Sequence, residues 1–440
     1  SDVYKRQLGH LAALVDKSLL RRVTQDGGRW RYDMHEVVRQ YAAAQLAVDP
    51  EEERATRDRH GHYYAAWLEE RETPFQKSAR QQSLLEEFRV EIDNLRAAWN
   101  WMFVERQTPM TWRAVNCLGY FYELRCWYRE GIAMYQRANR ALEDTLQGVD
   151  ATTPAQKEAV ATLAFLLGAE GLYGCRTGQN DEGRAQLHRS IDMLRAQQLQ
   201  DVLWYPLLWL GYVDTALGEY QEAYAALQEG LHIGRIIGEQ WCCAFMLTLL
   251  GPVALAQGRS DEAYAMAREG LALWRNMGDP RGMAFSLNRF GEILLALKRY
   301  DEAHAVIQES LALSNATGNR MDRGEALNVL GQMASAHAQH AQAERLLRES
   351  LALLEEIGYP RGIAQAHIDL GDVAYAQGDH QAARRHFAEA LHTAATAHLL
   401  PVALDALSKI AMLLIDEGRS ERALALCAHI LHTPSATYAT

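Results

Sequence analysis

The sequence predicts an all-α fold, a superhelix of paired helices (an α-solenoid), preceded by a short unit that contains a β-hairpin. Three observations predict it. A glycine recurs every forty residues, at Gly171, Gly211, Gly251, Gly291, Gly331 and Gly371, with Ala411 in the next slot. The composition favours helix: there are 10 prolines in 440 residues, and Ala, Leu, Gln, Glu and Arg are abundant. Residues 8–47 depart from the pattern, with short apolar runs on either side of Gln25-Asp26-Gly27-Gly28. A fixed period between twenty and fifty residues is the signature of stacked repeats, each burying the face of its neighbour.

Further columns keep phase with the glycines. Seven residues on, Gly178, Gly218, Gly258, Lys298, Ala338, Gly378 and Gly418 mark a turn. Five further on comes a column of small residues: Gly183, Ala223, Ala263, Ala303, Ala343, Ala383 and Ala423. Ser190, Gly230, Gly270, Ser310, Ser350 and Ala390 then precede a column of Ile191 and five leucines from Leu231 to Leu391. Helices approach to ~8–10 Å only where side chains are short, which accounts for the small columns. Asp279-Pro280 reads as an N-cap and a first-turn proline, Asp301 as a cap of the following helix, and Gly318 as its terminator. Leu311 is expected to be buried between adjacent repeats.

The pattern Leu-Gly, then Gly-x-x-x-x-Ala, then a small residue and Leu, resembles the tetratricopeptide repeat. At forty residues it is similar to the long variant of MalT-like bacterial regulators. That resemblance implies a right-handed superhelix whose concave face binds partners. A degenerate copy is visible at Leu118-Gly119, Trp127-Tyr128 and Gly131-Ile132. The expected organisation is a partial winged-helix domain over 1–50, a helical linker over 51–110, a degenerate repeat and insertion over 111–160, and seven repeats over 161–440.

At the front end, Leu8–Lys17 reads as an amphipathic helix, Leu19–Thr24 and Arg29–Met34 as hairpin strands, and His35–Ala47 as a helix. Leu14-Val15-Asp16-Lys17-Ser18-Leu19-Leu20 and Tyr32-Asp33-Met34-His35-Glu36-Val37-Val38-Arg39-Gln40-Tyr41-Ala42 resemble the winged helix of STAND signalling ATPases, the AfsR-, LuxR- and NB-ARC-type proteins. Met34-His35-Glu36 matches the Met-His-Asp motif of that family, with Glu in third place. The resemblance implies that His35 contacts the phosphates of bound ADP, with ATP or ADP held by an ATPase domain of the full-length protein. This chain has no Gly-x-x-x-x-Gly-Lys-Ser/Thr, and none of its six lysines follows a glycine, so no cofactor is expected on it. The ends read as those of a fragment, with an ATPase domain upstream and a capping helix downstream.

Several function classes find no support in the residues. Net charge is −11, from +1 over residues 1–60 and −12 over the rest, which argues against nonspecific phosphate-backbone binding by the repeats. The basic wing of Arg21, Arg22, Arg29 and Arg31 is split between strand faces, so DNA contact through it is not expected. There is no His-Glu-x-x-His, no nucleophile elbow and no CxxC among the six cysteines; neither a metal site nor an enzyme is expected. The longest apolar stretches, such as Trp204–Val213 and Leu247–Ala256, run to about ten residues where a span needs ~20, and residues 1–7 carry no signal-peptide pattern, so a cytoplasmic protein is expected.

The informative positions lie on the first helix of each repeat. Six residues before the glycine stand Tyr205, Phe245 and Phe285, followed by Glu325 and Gln365; three before it, Asn288 and Asn328; one after it, Tyr212, Glu292, Gln332 and Asp372. These offsets match concave-face positions of tetratricopeptide families, where an Asn grips a peptide backbone with both its donors and its acceptor. The groove is expected to be aromatic in its first half and polar-acidic in its second, to take a peptide, protein or small inducer, and to favour basic partners. On this reading the chain is the sensor arm of a STAND signalling ATPase and also meets its own ATPase domain. The alternative is a free-standing scaffold for protein–protein interactions.

Overall fold

Helix pairs in unbroken succession form the bulk of the computed structural model, which describes residues 2–24, 30–77, 81–105, 110–125, 127–148 and 151–431. The chain divides into two compact units, residues 1–63 and 64–440.

The first unit holds α1 (Asp2–Asp16), β1 (Arg21–Thr24), β2 (Trp30–Asp33), α2 (Glu36–Leu46) and the start of α3 (Pro50–Lys77). The strands pair antiparallel with Arg21 opposite Asp33, and these two side chains form an exposed ion pair at 3.0 Å. The expected turn at residues 25–28, and Arg29, lie outside the described residues. Helix α1 starts six residues earlier than expected, because Lys5, Arg6 and Gln7 are good helix formers even without an apolar pattern. Helix α2 buries no residue, and Val37 and Tyr41 are exposed.

The second unit continues through α4 (Gln81–Trp99), a π-helical turn at Asn100–Glu105, α5 (Trp112–Leu124) and α6 (Tyr128–Leu146). Seven pairs follow: α7 (Pro154–Arg176) with α8 (Asn180–Ala196), α9 (Trp204–Leu217) with α10 (Tyr220–Ile237), α11 (Gln240–Ala256) with α12 (Ser260–Met277), α13 (Pro280–Ala296) with α14 (Tyr300–Thr317), α15 (Arg320–Ala336) with α16 (His340–Ile357), α17 (Pro360–Ala376) with α18 (His380–Thr396), and α19 (Leu400–Asp416) with α20 (Ser420–Leu431).

The periodic columns have direct structural causes. The helix glycine receives a side chain from its partner helix: a Cβ on Gly211 would lie 2.4 Å from Leu227, and one on Gly371 would lie 2.3 Å from Phe387. The alanine column, from Ala223 to Ala423, is buried at the crossing. Ser190, Ser310 and Ser350 each donate to a carbonyl of the first helix of their own repeat, those of Ala164, Ala284 and Gly324, at 3.1, 3.0 and 2.7 Å. Asp279 caps α13, accepting from the amides of Arg281 and Gly282, as expected. Asp301 instead sits inside the first turn of α14, whose cap is Arg299, and acts there through the helix dipole. Leu311 is only half-buried; the sealed position on that helix is Ile307, one turn earlier.

Helix α7 is long and apolar enough to cross a membrane by length and composition, which exceeds the apolar stretches expected from the sequence. Its apolar window is 89% buried within the unit, which marks it as a core helix.

The superhelix returns upon itself. The side-chain amide of Asn180, at the start of α8, donates to the carbonyl of Ala397, after α18, at 2.8 Å. Helix α9 touches α19, and Arg281 at the start of α13 pairs with Glu123 at the end of α5 at 2.7 Å. The inner helices therefore enclose an interior instead of lining an open trough.

Candidate functional site

The first half of that interior is built of rings. Phe165, Tyr205, Phe245 and Phe285 occupy one column of successive inner helices. Phe165 stacks on Tyr205 at 3.9 Å, and Phe245 packs on Phe285 at 5.2 Å. Trp209 bridges the two, lying 6.1 Å from Tyr205 and 5.4 Å from Phe245. Trp274 is fully buried against Phe245 and Trp241, with its indole N–H donating to Thr248 at 3.1 Å. Its ring requires Gly282, where a Cβ would lie 2.2 Å away. A cavity of ≈ 50 Å3 remains among these rings, with Arg176, Arg281, Glu123, Asp279 and Asp322 in its wall.

Beside these rings runs a chain of charged side chains. Glu123 takes Arg281 at 2.7 Å and Arg176 at 3.5 Å. Arg176 also donates to the Tyr212 hydroxyl and lies over the Tyr212 ring at 4.7 Å. Arg289 pairs with Glu325 at 2.5 Å and Glu292 at 3.0 Å, and the Tyr359 hydroxyl donates to Glu325 at 3.4 Å. Burial opposes the charge of Arg281 and Arg289, but their carboxylate neighbours, Glu123 for the first and Glu292 for the second, more than offset it and hold both fully protonated. Each charge is tolerable in this low-dielectric interior only because its partner is fixed.

The expected site residues divide between this interior and its later, more open half. Tyr205 and Tyr212 are buried, as is Phe285; Phe245 is half-buried and lines the cavity. The asparagines do not present free amides. Asn288 is fully buried, donates to the carbonyl of Asp322 at 2.9 Å and accepts from Ser310 at 2.7 Å. Asn328 donates to Asp369 at 3.1 Å, where Gln332 and Gln365 also donate, at 2.8 and 3.1 Å. Stacking puts the next helix where an open face is expected, so these amides tie repeat to repeat. Glu292, Gln332 and Asp372 are half-buried at the edge, Asp372 pairing with Lys409 at 2.8 Å. Burial pushes Asp369 up to about 7 despite its amide donors, and raises Glu292 and Asp405.

His35 lies in the first unit, exposed, with Nδ1 accepting from the amide of Val37 at 3.4 Å as the cap of α2. Among the described residues no group of three His, Cys, Asp or Glu side chains converges on one point. Cys117, Cys175 and Cys242 are buried thiols whose pKa burial raises, that of Cys175 to about 11, so thiolate chemistry is disfavoured there.

Sequence reasoning missed the arginines and the tryptophans. The repeated Pro-Arg-Gly at 280–282 and 360–362 was a usable signal, since it puts a cation at the mouth of an inner helix beside a residue kept small by a ring. Another was the column holding Trp209, Arg289, Asp369 and Lys409, polar in its later members on the inner face of a core helix.

Comparisons with known proteins agree with this architecture. The tetratricopeptide-repeat family matches residues 282–356, the winged helix-turn-helix domain family residues 4–47, and the anaphase-promoting complex subunit 5 family residues 172–254. Proteins of Mycobacterium bovis and Mycobacterium tuberculosis named as HTH-type transcriptional regulators are 29% identical over 268 residues, covering 53% of this chain. The chain spans 30% of their length. Among solved structures, a STAND protein with a tetratricopeptide-repeat sensor from Pyrococcus horikoshii aligns with TM-score 0.52 at 17% identity, over 95% of this chain and 57% of that one. A Rap protein complexed with competence and sporulation factor aligns with TM-score 0.53 at 14% identity, over 79% of this chain and 98% of that one. At such identities the structural likeness speaks for the fold. Sequence families and geometry together describe a tetratricopeptide-type repeat protein with a winged-helix segment at its front.

Proposed function

We propose that this chain is a partner-binding module that recognises a basic peptide or protein segment along the inner-helix edge of its later repeats. One observation carries the reading. The column one residue after the helix glycine passes from sealed Tyr212, through half-open Glu292, Gln332 and Asp372, to exposed Met412. That edge places the carboxyls of Glu292, Asp372 and Asp405 at half-exposed positions, so a cationic partner would be drawn to it. Relatives in fold add support by analogy alone: a Rap protein was solved with competence and sporulation factor, another with the Phr* peptide, and Cut9 with Hcn1.

A finer reading makes the module the sensor arm of a larger STAND regulator, where partner binding shifts the balance of an ATPase domain that also contacts this chain. Its support is the winged-helix match with Met34-His35-Glu36, together with the named function of the mycobacterial relatives. An in-frame phosphate-binding loop encoded upstream supports it, and an unrelated upstream reading frame counts against it.

The test of the main reading is peptide display against the immobilised chain, followed by affinity measurement. Selected peptides should be rich in Lys and Arg, and Glu292→Gln with Asp372→Asn should weaken them roughly 5- to 30-fold at low salt. Selected peptides without basic character, or an unchanged affinity in the double variant, would overturn it.

A further inference from the structure

The cavity among the early rings contains two charged side chains with unused hydrogen-bonding capacity. Arg176 is 3% exposed and directs two of its nitrogens at Tyr212 and Glu123, yet its Nε has no partner. Asp322 is 1% exposed; its Oδ2 accepts from Asn319, yet its Oδ1 has no partner. Both residues line the same cavity. A buried donor or acceptor left unsatisfied is costly, more so when charged, and native interiors rarely keep one without a ligand or water to meet it.

The other charges of the wall are already committed. Glu123 is taken by two arginines, Arg281 by Glu123 and the Tyr120 ring at 4.5 Å, and Asp279 by the amides that open α13. Among the charges, what remains is one unpartnered N–H of Arg176 and one unpartnered oxygen of Asp322, in a wall that also holds the unpartnered Tyr135 hydroxyl and Trp209 indole N–H. Burial, followed by the charge of Glu325, pushes the Asp322 carboxyl up to about 7, the behaviour of a carboxylate whose arginine neighbours are engaged elsewhere. A guest matching both vacancies offers an ammonium at one end and a carboxylate at the other. The space of ≈ 50 Å3 admits about four water-sized bodies, at ~10–15 Å3 each, and since a water takes ~30 Å3 of liquid volume this limits the guest to roughly eight heavy atoms.

We infer that the enclosed cavity is a binding site for a small zwitterion of the α-amino-acid kind, with its ammonium on Asp322, its carboxylate on Arg176 and a short apolar side chain against the rings. The walls come from inner helices of separate repeats, since Arg176 ends α7, Arg281 opens α13 and Asp322 opens α15. Occupancy therefore crosslinks early and middle repeats and stiffens the superhelix. The site is separate from the later, open edge, so the two proposals stand or fall independently.

The test is calorimetry on the full chain with L-valine, isovalerate (no ammonium), isobutylamine (no carboxylate) and glycine betaine (no N–H donor). Valine should bind, and each of the other three should bind roughly 10-fold or more weakly. Asp322→Asn should weaken valine and isobutylamine by roughly 10-fold and leave isovalerate unchanged. Ala169→Leu, which fills the cavity from α7 and leaves every polar residue of the wall in place, should abolish binding of all four. Circular dichroism checks that each variant is folded; if Asp322→Asn is not, the probe series and Ala169→Leu decide. No binding of valine at ~10 mM, equal binding of the four probes, or unchanged binding in a folded Ala169→Leu chain overturns the inference.

Discussion

The early and late inner helices share one backbone ruler and differ in what stands on it. Six residues before the helix glycine, the early repeats carry Phe165, Tyr205, Phe245 and Phe285, and the later ones Glu325, Gln365 and Asp405. The rings pack against one another and against Trp209 and Trp274, sealing the early half. In the later half polar side chains meet a partner one repeat away, as Gln332 meets Asp369 and Lys409 meets Asp372, and all but buried Asp369 remain half-open. Small residues at the crossings set how helices stack; the residues between crossings decide whether the stack closes. A repeat protein can thus be sealed in one half and half-open in the other without any change of fold.

The strongest way to break this comparison is to remove a charge from each half. Glu123 is the shared partner of Arg176 and Arg281, and its side chain is 11% exposed. Glu123→Ala strands two buried cations and should cost ~3–5 kcal/mol in urea denaturation. Asp372→Ala breaks a pair whose side chains are 37% and 25% exposed, so it should cost about 1 kcal/mol or less. Equal losses would mean that the early half is not the sealed one.

A second contrast lies within a single helix, α14. Ile307 is fully buried and its Cδ1 lies where a Cβ on Gly291 would come within 2.3 Å, whereas Leu311 one turn later is half-buried. Ile307→Ala should therefore cost ~2–5 kcal/mol and Leu311→Ala distinctly less, measured by the same denaturation. The reverse order would shift the assigned packing register by a turn.

These two contrasts also mark what the sequence could and could not disclose. The helix pairs were legible because steric columns recur: a glycine facing Leu227 or Phe387 is forced by close approach within one repeat, and the period repeats that demand. Aromatic and acidic halves were legible for the same reason. Closure was not, because it depends on contacts such as Asn180 with Ala397, which are 217 residues apart and belong to no column. An Asn on an inner helix reads as facing a groove, yet stacking encloses Asn288 between α14 of its own repeat and α15 of the next. Arg176, which ends its helix at a position no other repeat fills with a cation, carried no periodic signal either.

pH sharpens the comparison on the early side. Burial first, and Glu325 next, push Asp322 up to about 7, against the pull of Arg281, Arg289 and Arg176. A carboxyl raised on folding contributes stability that is complete below its unfolded value near 3.8 and lost as pH rises through about 7. Asp322→Asn removes that loss. The variant should be the more stable form at about pH 8, by on the order of 1–3 kcal/mol, and the advantage should vanish towards about pH 4. Denaturation midpoints of both chains across this range give the answer, and a pH-independent difference would mean that Asp322 stays ionised in the folded chain.

The smallest effect concerns the turns inside the repeats, where two later repeats depart from the glycine column. Gly178, Gly218, Gly258, Gly378 and Gly418 hold φ between +73° and +85°, and Lys298 and Ala338 fill the same slot at +58° and +57°. A Cβ is disfavoured in this left-handed region by ~1–2 kcal/mol. Both side chains are exposed, so no packing offsets the strain. Glycine would relieve it but give back part of the gain, because it frees the unfolded chain by ~0.4–1 kcal/mol. Lys298→Gly and Ala338→Gly should therefore each stabilise the repeat unit by about 0.5–1 kcal/mol. Gly258→Ala has open space around the new Cβ and should lose a similar amount through backbone strain alone. The three variants differ from the parent at one exposed turn each, so their denaturation midpoints can be compared directly. A loss on introducing glycine at 298 or 338 would mean that these turns are held by the flanking helices whatever residue occupies them.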